Sequence, residues 1–144
     1  PDVSSQMAFD QEQGYLYIAD TGNERILALD TQSGRRGGVV DGPNYDYIRV
    51  RHRMLDAEFD ELDLEGSRLG MPSGLLLHEG LLYIADHTHS EFRVHTTDGA
   101  LIRTLYTDFP GDSIGSMVMG PDDRIYFAVP NEGKVYRIEY DLRD

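Results

Sequence analysis

Three stretches of this chain repeat one another, and that repetition constrains the fold more than any other feature. The first runs Met7-Ala-Phe-Asp10, Tyr15-Leu-Tyr-Ile-Ala-Asp20 and Arg25-Ile-Leu-Ala-Leu-Asp30, closing at Gly34. The second runs Leu75-Leu-Leu-His78, Leu81-Leu-Tyr-Ile-Ala-Asp86 and Glu91-Phe-Arg-Val-His95, closing at Asp98-Gly99. The third runs Met117-Val-Met-Gly120, Arg124-Ile-Tyr-Phe-Ala-Val129 and Lys134-Val-Tyr-Arg-Ile-Glu139. Each is a set of short β-rich runs separated by turn residues. Tyr15–Ala19 is an almost unbroken aromatic and aliphatic run, the pattern of a strand buried on both faces. Thr21-Gly22-Asn23 then supplies turn chemistry, because Gly and Asn tolerate positive φ. Tyr17, Tyr83 and Tyr126 anchor the three repeats at intervals of 66 and 43 residues. A period near 43 is that of a four-stranded propeller blade. The longer first interval predicts an insertion of roughly 23 residues between the first two repeats.

The segment Tyr15-Leu-Tyr-Ile-Ala-Asp-Thr-Gly-Asn-Glu-Arg-Ile-Leu-Ala-Leu-Asp30 resembles the core of an NHL repeat, and Pro72-Ser-Gly74 is similar to the opening of one. The second repeat departs by placing His87-Thr-His89-Ser-Glu91 where the first has Thr21–Arg25, and the third places Pro130–Lys134 there. The resemblance implies an all-β fold: a β-propeller of NHL-repeat type, with about three four-stranded blades, half of a ring of about six. The expected division is blade one over 1–41, an insertion over 42–70, blade two over 71–108 and blade three over 109–144. Strands are expected near 5–9, 15–20, 25–30 and 35–41. In the second repeat they fall near 74–78, 81–86, 91–96 and 100–106, and in the third near 115–119, 124–129 and 134–140. The last four residues are too few for a fourth strand in blade three. Three blades leave apolar faces at both ends. Two resolutions are expected: the chain is the C-terminal half of a longer propeller, which the missing fourth strand fits, or two copies join into a closed six-bladed ring. The expected partner is a protein or a second copy completing the propeller, and the chain is not expected to persist as an isolated monomer.

Within the insertion, Arg49, Arg51 and Arg53 alternate with Ile48, Val50 and Met54. Asp56, Glu58, Asp60, Glu61, Asp63 and Glu65 follow, with Leu55, Phe59 and Leu62 at the spacing of a short amphipathic helix. The stretch reads as a solvated loop whose Arg face pairs with its own acidic run. It lacks the glycine and spacing of a calcium loop.

The formal net charge is −13, from 26 acidic and 13 basic side chains. Such a surface repels phosphate backbones and anionic membranes, so no nucleic-acid partner is expected. No apolar run is long enough for a membrane span, and no membrane insertion is expected. The opening Pro1-Asp2-Val3 carries no signal-peptide features. The chain has no cysteine, which excludes disulfides and thiolate chemistry. A soluble periplasmic or extracellular setting is favoured.

Four of the five histidines, His78, His87, His89 and His95, fall in the second repeat. His87 and His89 flank a turn directly after Asp86. His-x-His beside a carboxylate can bind a divalent ion, so Asp86, His87 and His89 are candidate metal ligands. One histidine could also be an axial ligand to a haem held by another chain. Asp20 and Asp86 read as turn caps, Arg25 as a local ion-pair partner, and the three recurring tyrosines as packing residues. Ser73 lacks the surroundings of a nucleophile elbow. No catalytic residue and no phosphate-cradling loop emerges. The function expected is a non-catalytic propeller module that presents loops for macromolecular binding or scaffolding. The alternatives are a metal-dependent hydrolase or lyase with a central site, and a structural subunit of a periplasmic or extracellular oligomer.

Overall fold

The computed structural model describes residues 3–39, 52–139 and 142. The chain is all-β, with no α-helix among these residues. Three antiparallel sheets of four, four and three strands follow one another, and a two-stranded ribbon accompanies the first. The first sheet holds β1 (Met7–Asp10), β2 (Tyr15–Asp20) and β3 (Arg25–Asp30). The ribbon pairs β4 (Arg35–Val39) with β5 (His52–Leu55). The first sheet is then completed by β6 (Glu58–Glu61), antiparallel to β3. The second sheet is β7 (Pro72–His78), β8 (Leu81–Asp86), β9 (Glu91–Thr96) and β10 (Leu101–Tyr106). The third is β11 (Met117–Met119), β12 (Ile125–Val129) and β13 (Lys134–Arg137).

Two expectations about residues 35–70 are overturned. The fourth strand of the first sheet is Glu58–Glu61 and not the stretch near 35–41, which forms the ribbon instead. The excursion therefore lies inside the first sheet, between its third and fourth strands. The short helix through Leu55, Phe59 and Leu62 does not form. Asp56 takes a left-handed φ of 57°, which ends β5, and the edge of β3 captures the backbone of 58–61. Leu62 and Leu64 then pack against the core instead of facing solvent. Arg49 and Arg51 of the alternating stretch lie outside the described residues.

The burial of the second strand of each sheet shows how the sheets pack. In β8 every residue from Leu82 to Asp86 is buried, so the middle sheet is covered on both faces. In β2 the buried residues are Tyr17 and Ala19, and in β12 they are Ile125, Phe127 and Val129. Successive strand residues point to opposite faces, so β2 and β12 each bury one face, of opposite parity. One apolar layer joins Tyr17, Ala19, Ile26 and Ala28 of the first sheet to Leu75, Leu82 and Ile84 of the second. The other joins Tyr83, Ala85, Phe92 and Val94 to Met117, Ile125, Phe127 and Val129 of the third. Phe92 meets Phe127 edge-on, with ring centroids 4.8 Å apart.

The first strands of the sheets lie together: β7 touches β1 on one side and β11 on the other. Gln6, just before β1, ties all three. Its Oε1 accepts from the Leu75 N–H at 3.0 Å and the Met117 N–H at 3.3 Å, and its Nε2 donates to the Met117 carbonyl at 3.2 Å. Gly74 permits this approach, because a Cβ there would stand 2.8 Å from Met117 Cγ and 3.0 Å from Ala85 Cβ.

Candidate functional site

The turns that follow the second strands share one design. Each is a short turn whose last residue is left-handed: Glu24 at φ 56°, Ser90 at 51° and Gly133 at 63°. In the first two sheets the residue opening the turn reaches across towards the next sheet. Thr21 Oγ1 donates to the Pro72 carbonyl at 2.7 Å. His87, in the same place in the second sheet, sets Nδ1 2.7 Å from the Ile114 carbonyl. A carbonyl only accepts, so Nδ1 carries a proton. Ser73 Oγ donates to the carbonyl of Gly115 at 2.9 Å, which gives it a structural role.

Asp86 is fully buried at the end of β8 and caps the turn as expected. Its Oδ1 accepts from the His89 N–H at 3.0 Å, and its Oδ2 from the Gly70 N–H at 2.9 Å. His89 Nδ1 lies 2.8 Å from Asp86 Oδ2. That hydrogen bond, reinforced by the carboxylate's charge, raises the His89 pKa above its ordinary value. Asp20 is the counterpart in the first sheet. It accepts from Asn23 at 3.0 Å and pairs with Arg25 at 2.7 Å, the local ion pair expected.

Two residues that sequence reasoning missed complete the second-sheet cluster. Glu91 and Arg93, on β9, are both buried. The Arg93 guanidinium is 2.8 Å from Glu91 Oε1 and 3.5 Å from Asp86 Oδ2. It also donates to the Ser67 carbonyl at 2.6 Å and the Arg68 carbonyl at 3.2 Å. Alternation inside a strand reads as core, so nothing in the spacing marked these two as a charged pair.

Of the candidate metal ligands, Asp86 and His89 come together and His87 points elsewhere. Among the described residues, Asp86, His89 and Glu91 form a group whose ligating atoms lie within 4.8 Å of one another. Arg93 already supplies a cation to both carboxylates. A divalent ion would meet that guanidinium at close range, so the donor set fits an internal ion-pair network better than a metal.

His87 instead lines a pocket of about 120 Å³ between the second and third sheets. Asp112, Ser113 and Ser116 share its wall with Pro130 and Asn131 of the third turn and Val3 and Ser4 of the leading segment. His87 Nε2 stands 3.9 Å from Asp112 Oδ1 across the opening. His78 and His95 are remote from this rim, at the other ends of β7 and β9. His95 is fully buried. Its Nδ1 donates to the Gly99 carbonyl at 3.0 Å, Nε2 has no partner among the described residues, and burial lowers its pKa.

No family model matches the chain, and no curated protein sequence matches it significantly. No helix among the described residues is long and apolar enough to cross a membrane.

Proposed function

We propose that this chain is a run of three NHL-type propeller blades acting as a non-catalytic binding module, with the rim formed by its second-strand turns as the recognition surface. The observation that carries this reading is the recurrence of one turn geometry in all three sheets, with Thr21 and His87 bridging at equivalent places. The polar groups of the rim serve architecture. Arg93 pairs with both Asp86 and Glu91, and among the described residues no nucleophile is paired with a base there. What the rim offers a partner is the small pocket lined by His87 and the Asp112 carboxylate. A carboxylate acceptor and an acidic surface suit a peptide that presents N–H donors or basic side chains.

Selection of displayed peptides on the wild-type chain and on a His87→Ala/Asp112→Ala variant tests this. Enrichment of basic sequences that bind only the wild type supports the reading. Metal-dependent hydrolysis or elimination that persists through purification and is lost on Asp86→Asn would refute it.

A second reading, a divalent-metal centre, rests on the proximity of Asp86, His89 and Glu91. Calorimetric titration with Zn²⁺ distinguishes it: heat that disappears in His89→Ala supports a metal centre, and no heat rules it out.

A further inference from the structure

The middle sheet makes two interfaces, and they are copies of one another. In each, the earlier sheet presents a Tyr-x-Ala face and the later one a branched-aliphatic or aromatic face. Tyr17 and Ala19 meet Leu82 and Ile84; Tyr83 and Ala85 meet Ile125 and Phe127. The strand registers make the correspondence explicit. Met7 pairs Ile18 as Leu75 pairs Ile84 and as Met117 pairs Phe127.

The two end faces continue this series. On the outer face of the first sheet lie Leu16 and Ile18, the counterparts of Leu82 and Ile84. Met7 stands beside them at 65% exposure, whereas its counterparts Leu75 and Met117 are 1% and 2% exposed. On the outer face of the third sheet lie Tyr126 and Ala128, the counterparts of the Tyr-x-Ala pairs. Val135 stands beside them at 70% exposure, whereas its counterparts Ile26 and Phe92 are 0% and 2% exposed. Each end therefore carries one half of an interface that the chain makes twice within itself. One position departs: Arg137 replaces Ala28 and Val94, and its guanidinium pairs with Asp122 and Glu139.

We propose that these two faces are reciprocal and that a second copy of this chain occupies them, first-sheet face against third-sheet face. The proposal rests on the repeat reading above. It specifies a heterologous contact, which two copies satisfy twice if the assembly closes and which propagates if it does not.

Sedimentation of the 144-residue chain over a concentration series tests it. The expected result is a dimer, or a longer series. Ile18→Glu and Ala128→Glu each place a charge on one face, and each should weaken self-association on the order of a hundredfold. Circular dichroism checks that both variants stay folded. An equimolar mixture of the two should associate again, because one pair of faces remains intact between unlike copies. A folded wild type that stays monomeric throughout overturns the proposal while leaving the rim-binding reading standing. Loss of association in only one of the two variants also overturns it, since that marks a contact between like faces.

Discussion

The side-chain amide of Gln6 satisfies both backbone groups of Met117, 111 residues away, at 3.2 and 3.3 Å. A primary amide carries the same donor and acceptor as a peptide unit, so Gln6 serves as one peptide of a strand that is not there. The same oxygen also takes the Leu75 N–H. The first strands of three sheets thus share one side chain.

Gln6→Leu should therefore destabilise the chain by about 1–3 kcal/mol, since it strands two N–H groups and a carbonyl that are partly buried. Urea denaturation measures this as a lower midpoint with an unchanged slope. Gln6→Asn, one methylene shorter, should recover little of the loss.

Among the described residues, Arg93 is the one arginine or lysine that pairs with both Asp86 and Glu91. Arg93→Met should cost about 3–5 kcal/mol, because it leaves two buried carboxylates without the guanidinium. Adding Glu91→Gln to that variant should restore part of the stability. Equal loss in the single and double variants would show that packing, and not charge, is what Arg93 supplies.

Stability should depend on pH through two histidines acting in opposite directions. His89 has a raised pKa in the folded chain, so its contribution is complete below the ordinary value of 6.5 and is lost as pH rises through the raised value. His95 has a lowered one, so its contribution is present above 6.5 and is lost as pH falls through the lowered value. His89→Ala should flatten the decline in melting temperature on the alkaline side of 6.5. His95→Gln should flatten the decline on the acid side.

Gly99 holds φ at +100° and packs against the Asp63 carbonyl, while its own carbonyl accepts from the Glu65 N–H at 2.9 Å. Gly99→Ala combines backbone strain with a backbone clash and should cost about 1–3 kcal/mol. Calorimetry should show a lower melting temperature. A neutral outcome would mean that residues 63–65 move aside freely.

The second and third strands of every sheet were legible because apolar runs such as Tyr15–Ala19 and Leu81–Ala85 leave little choice. The observed bounds 15–20, 25–30, 81–86 and 91–96 coincide with those expected. Glu58–Glu61 was illegible because Phe59 is its one apolar residue among acids. It is a strand because β3 offered an unpaired edge, and that is a tertiary fact. Asp86 and His89 were singled out, with His87, by the His-x-His spacing directly after a carboxylate. Glu91 and Arg93 were missed because their burial inside β9 depends on Ser67 and Arg68 arriving from a distant segment. Gln6 carried no signal at all, since its partners are main-chain groups.

The ribbon of β4 and β5 leaves the first sheet after β3 and returns at β6. Closing a loop becomes costlier only by about 0.6 kcal/mol for each doubling of its length. This position can therefore accept or shed residues without disturbing either layer of packing. During synthesis it also means that the first sheet stays three strands wide until the excursion has been made, so its outer edge waits for a strand encoded well downstream.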